Sequence, residues 1–471
     1  MLIRCAELEG GGIADVRVER GFITGIGRLD AHDNEPVVEA SGGLLLPGLH
    51  DHHIHVAALA ASLNSVRCGP PDVADNEAFA ASLQIPGNDW LRATGYHESV
   101  AGMLDVTALD RIVPTRPLRI QHRSGRMWFF NSAGLDRLLA KGPAPLGLEH
   151  DGSRYTGRLF DEDAWLQRTL GSEPPSFAQV GALLASRGVT GLTEMSPAND
   201  AFMARHFLKE TSTQSLPQRT VLAGRLDLSK ADTSDRVVLG PAKLHLHEAA
   251  LPSLEDATDF IRRAHEQGRG VAVHCATEVE IIFTLAVFKD AGTIPGDRIE
   301  HASIAPDAAV EDIANAGIAV VSQPHFISER GDRYLADVDA DARPLLYRLR
   351  AFLDADVTLA AGSDAPFGNF DPWASMAAAV SRQTESGASL GESEALTPEQ
   401  ALDLFLRDPN ALNRRRRIAI GAPADLCLLD RSWADARGAL SSAYVRATFI
   451  DGRMIFARNS NNSSHRLEGM T

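Results

Sequence analysis

Short apolar runs that alternate with helical segments limit the fold of this chain more than any other feature. They read LLLPGLHDHHIHV at 44–56, then LRIQHRS, GVTGLTEM, AKLHLHE, GVAVHCA, DRIEHAS, IAVVSQPH and VTLAAGSDAP. Short buried strands separated by helices build parallel α/β sheets. The helices carry their own signals: Ser253 with Asp256 opens one that Gly268 closes, and Thr397-Pro398 with Gln400 opens another. Counted from the histidine-rich run, the strands number eight, enough to close a TIM barrel. A doubly wound open sheet would leave similar local patterns, but no GxGxxG follows the first strand. Both ends differ: residues 1–46 and the segment from Ile418 to Phe456 alternate with period two between glycines, the pattern of β structure. The polar stretch NSNNSSHRLEGMT predicts a mobile tail over 459–471.

The balance of 62 acidic against 46 basic residues, a net charge of −16, sets a field that repels phosphate backbones and anionic lipid. Nucleic acid is therefore not an expected partner. The one basic run, Arg414 to Arg417, has no stacking aromatics beside it and reads as a solvated or acid-paired connector. Cys5, Cys68, Cys275 and Cys427 lack CxxC spacing and read as reduced thiols. No window approaches the roughly 18 apolar residues of a membrane span, and the opening stretch is no signal peptide, so a cytoplasmic protein without membrane association is expected.

Chemistry concentrates at the predicted strand ends. In HHIHV, residues two apart point the same way, so His53 and His55 face the barrel interior while Ile54 packs outward. Such a pair serves packing as readily as metal binding, and spacing leaves His50 and His52 open as well. Further ligand types end other strands: His274 in VAVHCA, His301 in RIEHA and Asp364 in AAGSDAP, at the carboxyl ends where barrel enzymes build sites. Three or more imidazoles and a carboxylate suit zinc or another borderline divalent ion, which brings the pKa of a bound water towards ~7. Asp364 can take the proton of that water and pass it to a leaving group. An ammonium repels a cation, so Lys243 is a ligand only as a carbamate; otherwise it clamps substrate or pairs structurally. His325 in SQPHF faces substrate or supports the site, and Glu278, Arg330 and Arg333 carry lower expectations.

The constellation resembles the amidohydrolase superfamily, in the branch called amidohydrolase family 3 that contains N-substituted formamide deformylase. PGLHDHHIH is similar to that family's PGxxDxHxH, and QHRSGRMWFFNSAGL, RIEHA and SDAPFGNFDPW resemble its second, sixth and eighth strand ends. The resemblance implies a distorted TIM barrel over 48–411 and a small β-sandwich assembled from 1–47 and 412–458. It also implies His53 and His55 as metal ligands, His274 and His301 on a second metal, and Asp364 as both ligand and general base. Lys243 falls where the branch has a lysine taken to be carbamylated and to bridge two metals. The chain departs from the pattern in having Arg126 where the family often has histidine, which favours an anionic or strongly polar substrate. It departs again after Lys243, where His245, His247 and Glu248 replace an aspartate-glycine-serine stretch. Glu194 in LTEMS is the alternative bridging ligand. A homodimer is a habit of the superfamily.

The leading expectation is a hydrolase of a small molecule that cleaves the C–N bond of an amide, formamide or cyclic imide through a metal-bound hydroxide, with one or two divalent ions, zinc foremost. A mononuclear deaminase or deacylase is the alternative, and a non-catalytic scaffold the third reading.

Overall fold

The computed structural model describes residues 1–70, 72–171 and 174–458; the tail expected at 459–471 lies outside them. The described chain forms two compact units, one of Met1–Val56 with the described residues from Ser176 on, the other of Ala57–Pro175.

In the first unit, eight strands pair in chain order. They are β1 (Leu49–Ile54), β2 (Val189–Glu194), β3 (Arg219–Gly224), β4 (Val237–His245), β5 (Val271–Cys275), β6 (Arg298–His301), β7 (Ala319–Ser322) and β8 (Leu359–Ala361). Every pairing is parallel. Leu49, Ile54, Val189, Leu192, Val271, Val273, Ile299, Val320 and Leu359 are fully buried, as strands covered on both faces require. Ser253 caps the helix Leu254–Glu266, and Thr397 with Gln400 forms the expected capping box on Pro398–Leu406, each cap contributing about 1 kcal/mol. This is a distorted TIM barrel.

The ring closes through the loop after β8. The Asp364 amide donates to the His53 carbonyl (2.7 Å), and the His55 amide donates to that of Ala365 (2.9 Å). Asp51 accepts from the amides of His53 and Ser363, tying β1 to the same loop. A Cβ on Gly362 would lie 2.3 Å from the His53 backbone nitrogen, so only glycine permits this approach. Gly362→Ala is expected to cost about 1–3 kcal/mol by forcing the strands apart. Urea denaturation checks this, and native-like stability would show that closure tolerates the methyl.

One strand assignment from the sequence is corrected. LRIQH, counted as the second barrel strand, lies in the unit Ala57–Pro175, and RTVLAG in β3 takes the vacated place in the count. The reason lies in the side chains: in LRIQH the buried Leu118 and Ile120 alternate with the partly buried Arg119 and Gln121, whereas barrel strands such as β7 and β8 are apolar and buried nearly throughout. In that unit six strands pair in the order Leu148–Asp151, Arg154–Phe160, Met127–Phe130, Leu118–His122, Leu91–Tyr96, Val66–Arg67. Its cores gather around Phe79, Tyr96 and Phe129, and around Trp128, Phe130 and Leu159. The range 48–411 expected for the barrel thus contains this unit.

Both chain ends form the sandwich. Leu2–Glu7, Ile13–Glu19, Phe22–Gly27 and Val37–Glu39 make one sheet; Leu45–Pro47, Leu426–Leu429, Val445–Ile450 and Arg453–Ala457 make the other. Ile3, Val16, Leu45, Leu426 and Phe449 share its core. The basic run is an acid-paired connector: Arg414 pairs with Asp408, and Arg415 with Glu9 and Asp403, while Arg416 donates to the carbonyls of Arg407 and Phe405. Among the described residues no helix is long and apolar enough to cross a membrane.

Candidate metal centre

His53 Nε2 lies 3.4 Å from Asp364 Oδ1, and His55 Nε2 lies 3.1 Å from the same oxygen. Backbone shape makes this meeting possible. Asp364 has φ 51°, and His301 φ 72°, in the left-handed region that few non-glycine residues enter. At His301 the turn breaks strand alternation, so that Glu300 and the His301 ring both meet His53 instead of facing opposite ways. Ring centroids of His53 and His301 stand 4.8 Å apart, those of His301 and His274 4.4 Å, and those of His274 and His245 4.4 Å.

Hydrogen bonds fix the tautomers. A carboxylate only accepts, so His53 Nδ1–H donates to Glu300 Oε2 (2.5 Å), and the lone pair of His53 sits on Nε2. His301 Nδ1–H donates in the same way to Gln323 Oε1 (2.7 Å). Arg298 Nε stands 2.6 Å from the other Glu300 oxygen, an ion pair off the hydrogen-bond axis. The lone pairs of His53 Nε2 and Asp364 Oδ1 therefore confront each other, a repulsive pairing that a cation between them relieves. The donor set fits a divalent ion, with His53, His55 and Asp364 able to share one atom each within 4.8 Å.

Lys243 is buried, and its Nζ has no hydrogen-bond partner among the described residues. Burial, with Arg298 adding to it against the opposing Glu300 and Asp364, brings its pKa down to about 8. The imidazoles are pressed the same way. Burial holds His53, His274 and His301 below the usual range, with the Lys243 charge adding to it, and brings His245 to about 4. Burial alone would raise Asp364, but the opposing interactions, led by the hydrogen bond from His55, hold the carboxyl low. His53, His245, His274 and His301 are thus neutral imidazoles beside an ionised Asp364, the states that bind metal.

Other expected residues lie differently. Glu194 is fully buried, and its oxygens accept from the amides of Val56 and Ser196 and from Asn199 Nδ2. That carboxylate shapes the loop after β2. His325 Nε2–H donates to the Ser363 carbonyl (3.0 Å) and its Nδ1 accepts from Ser375 Oγ (3.2 Å), which braces the loop that carries Asp364. Arg126 belongs to the unit Ala57–Pro175, where its exposed guanidinium is held by Asp161. His50 bonds Thr193 Oγ1, and His52 packs on His50, outside the cluster. Glu278 is exposed at its helix start. Sequence reasoning missed Glu300 and Gln323, although Glu300 stands next to His301 in RIEHA. Phe367 also escaped it: 61% exposed, its ring stands edge-on to His55 with centroids 5.6 Å apart.

Comparison with known proteins finds relatives that span nearly the whole chain. The chain is 28% identical to N-substituted formamide deformylase of Arthrobacter pascens, over 96% of this chain and 95% of that protein. Its fold is similar to that of an uncharacterised metal-dependent hydrolase from Pyrococcus horikoshii OT3, with TM-score 0.75 at 18% identity over 92% of this chain and 96% of that one. It is also similar in fold to atrazine chlorohydrolase TrzN from Arthrobacter aurescens TC1, solved with zinc, with TM-score 0.57 at 14% identity over 97% and 95%. Residues 36–456 match the amidohydrolase family, so the chain belongs to that family and is a metal-dependent hydrolase of carbon–nitrogen bonds other than peptide bonds.

Proposed function

We propose that this enzyme opens the C–N bond of a small amide, formamide or cyclic imide, with Asp364 as general base. The observation that carries the reading is the convergence of His53 Nε2, His55 Nε2 and Asp364 Oδ1. The ligands of the proposal are His53, His55, Asp364, His274, His301 and a carbamylated Lys243, for one or two ions, zinc by donor type. A divalent ion there supplies a Lewis acid that polarises the carbonyl and acidifies a water. Asp364 then accepts a proton from the attacking water and returns it to the leaving nitrogen, so the C–N bond breaks as the amine gains its hydrogen. Glu300 and Gln323 keep His53 and His301 with Nε2 free, and His325 braces the loop of Asp364. The similarity to N-substituted formamide deformylase supports a formamide as the first substrate class to test. Four free cysteines favour a reducing, cytoplasmic setting.

The unpartnered Lys243 Nζ favours the lysine over Glu194 as bridge, because a carbamate carboxylate would find the histidines while the Glu194 oxygens already have donors. A mononuclear deaminase or deacylase is the second reading, favoured by the compactness of the three-residue group. Elemental analysis of chelator-free protein in bicarbonate separates them. About two ions per chain, falling to one or none in Lys243→Ala and holding in Glu194→Ala, is the expected result. About one ion, unchanged by Lys243→Ala, would remove the carbamate and favour the mononuclear reading.

A further inference from the structure

Within the unit Ala57–Pro175, the chemistry above leaves two arginines unused. Arg92 and Arg119 are register neighbours on the parallel strands Leu91–Tyr96 and Leu118–His122, so their side chains rise together from one sheet face. The Arg92 guanidinium carbon stands 5.8 Å from the centre of the Trp128 ring system, and that of Arg119 stands 6.0 Å from it and 5.7 Å from that of Trp90. Each Nε is buried without a hydrogen-bond partner, and neither guanidinium has an acidic neighbour among the described residues.

Two like charges side by side, partly withdrawn from water, are unfavourable unless a counter-charge meets them. Burial presses on both, and with the Arg92 charge it brings Arg119 down to about 10. The indoles supply a quadrupole but no formal charge. Nor is acid scarce: the chain has 62 acidic residues against 46 basic ones, and in this same unit Arg126 pairs with Asp161 and Arg158 with Glu149. Arginine forks match the geometry of carboxylate and phosphate oxygens.

We propose that Arg92 and Arg119 together form a binding site for the oxyanion group, carboxylate or phosphate, of a small molecule. The partly buried Trp90 indole beside Arg119 favours an anion with an aromatic body over a bare one. The test titrates the full chain with sodium benzoate and, separately, inorganic phosphate at constant ionic strength, while tryptophan fluorescence is followed. A saturable change is expected, at lower concentration for benzoate, and Arg92→Met and Arg119→Met are each expected to weaken it about tenfold or more. Saturation by phosphate alone would assign the site to phosphate groups and keep the proposal. Arg119→Lys keeps the charge but loses the fork, and it is expected to weaken binding as well should the methionine variants fail to fold. A native chain with no saturable response to either anion overturns the proposal, as does a response undiminished in the folded variants.

Discussion

Asp364→Asn is expected to lower kcat on an N-substituted formamide by about 10²–10⁴-fold, the usual contribution of a positioned general base. Asparagine is the fitting replacement because it tolerates the φ of 51° at this position. Its amide still donates towards His53 Nε2, which leaves the loop in place, but it cannot take a proton from water. A neutral amide is also a weaker ligand than a carboxylate for a divalent ion, so ion affinity falls with turnover. Steady-state kinetics beside elemental analysis checks the prediction. If a tenth or more of native kcat survives at equal metal content, Asp364 is not the base.

The second large effect lies away from the chemistry. Arg382 is fully buried where the helix Pro372–Ser381 ends. Its Nε donates to the carbonyls of Leu390 (3.0 Å) and Gly391 (3.1 Å), Nη1 to that of Tyr347 (3.1 Å) and Nη2 to that of Leu346 (3.0 Å). One guanidinium thus gathers two loops. Arg382→Met is expected to destabilise the fold by about 3–5 kcal/mol, because the Leu346 and Leu390 carbonyls lose their donor while those of Tyr347 and Gly391 lose one of two. The folded fraction should keep native kcat, since Arg382 touches none of the histidines. Chemical denaturation and active-site titration measure both; a loss under about 1 kcal/mol would mean that water replaces the guanidinium.

How much of this could be read in the residues depends on the kind of signal. His53, His55, His274, His301 and Asp364 were legible because each ends a short apolar run, and a parallel barrel gathers its strand ends on one rim. The β-sandwich was legible because period-two alternation at both ends needs only local pattern. LRIQH misled because its apolar-polar alternation belongs to a sheet that carries Ile120 on one face and Arg119 on the other, whereas barrel strands such as VAVHC and AVVS hold an unbroken apolar run. RTVLAG in β3 carries that unbroken pattern, yet it ends in glycine and offered no ligand to draw attention. Glu300 was hidden for a different reason. Its meeting with His53 depends on the positive φ of His301, which no spacing rule foretells. Glu194 and Arg126 found partners, the amides of a loop and Asp161, that only the folded chain brings near.

The strand Leu45–Pro47 leads through Gly48 directly into β1, yet it pairs with Leu426–Leu429. At a synthesis rate of ~5–20 residues per second, roughly 20–80 s pass between the emergence of the first segment and that of its partner. Through that interval the first barrel strand hangs from an unfinished sheet. The clasp that completes the sandwich emerges only after that interval, so the nascent protein passes it with an open apolar edge for chaperones to cover.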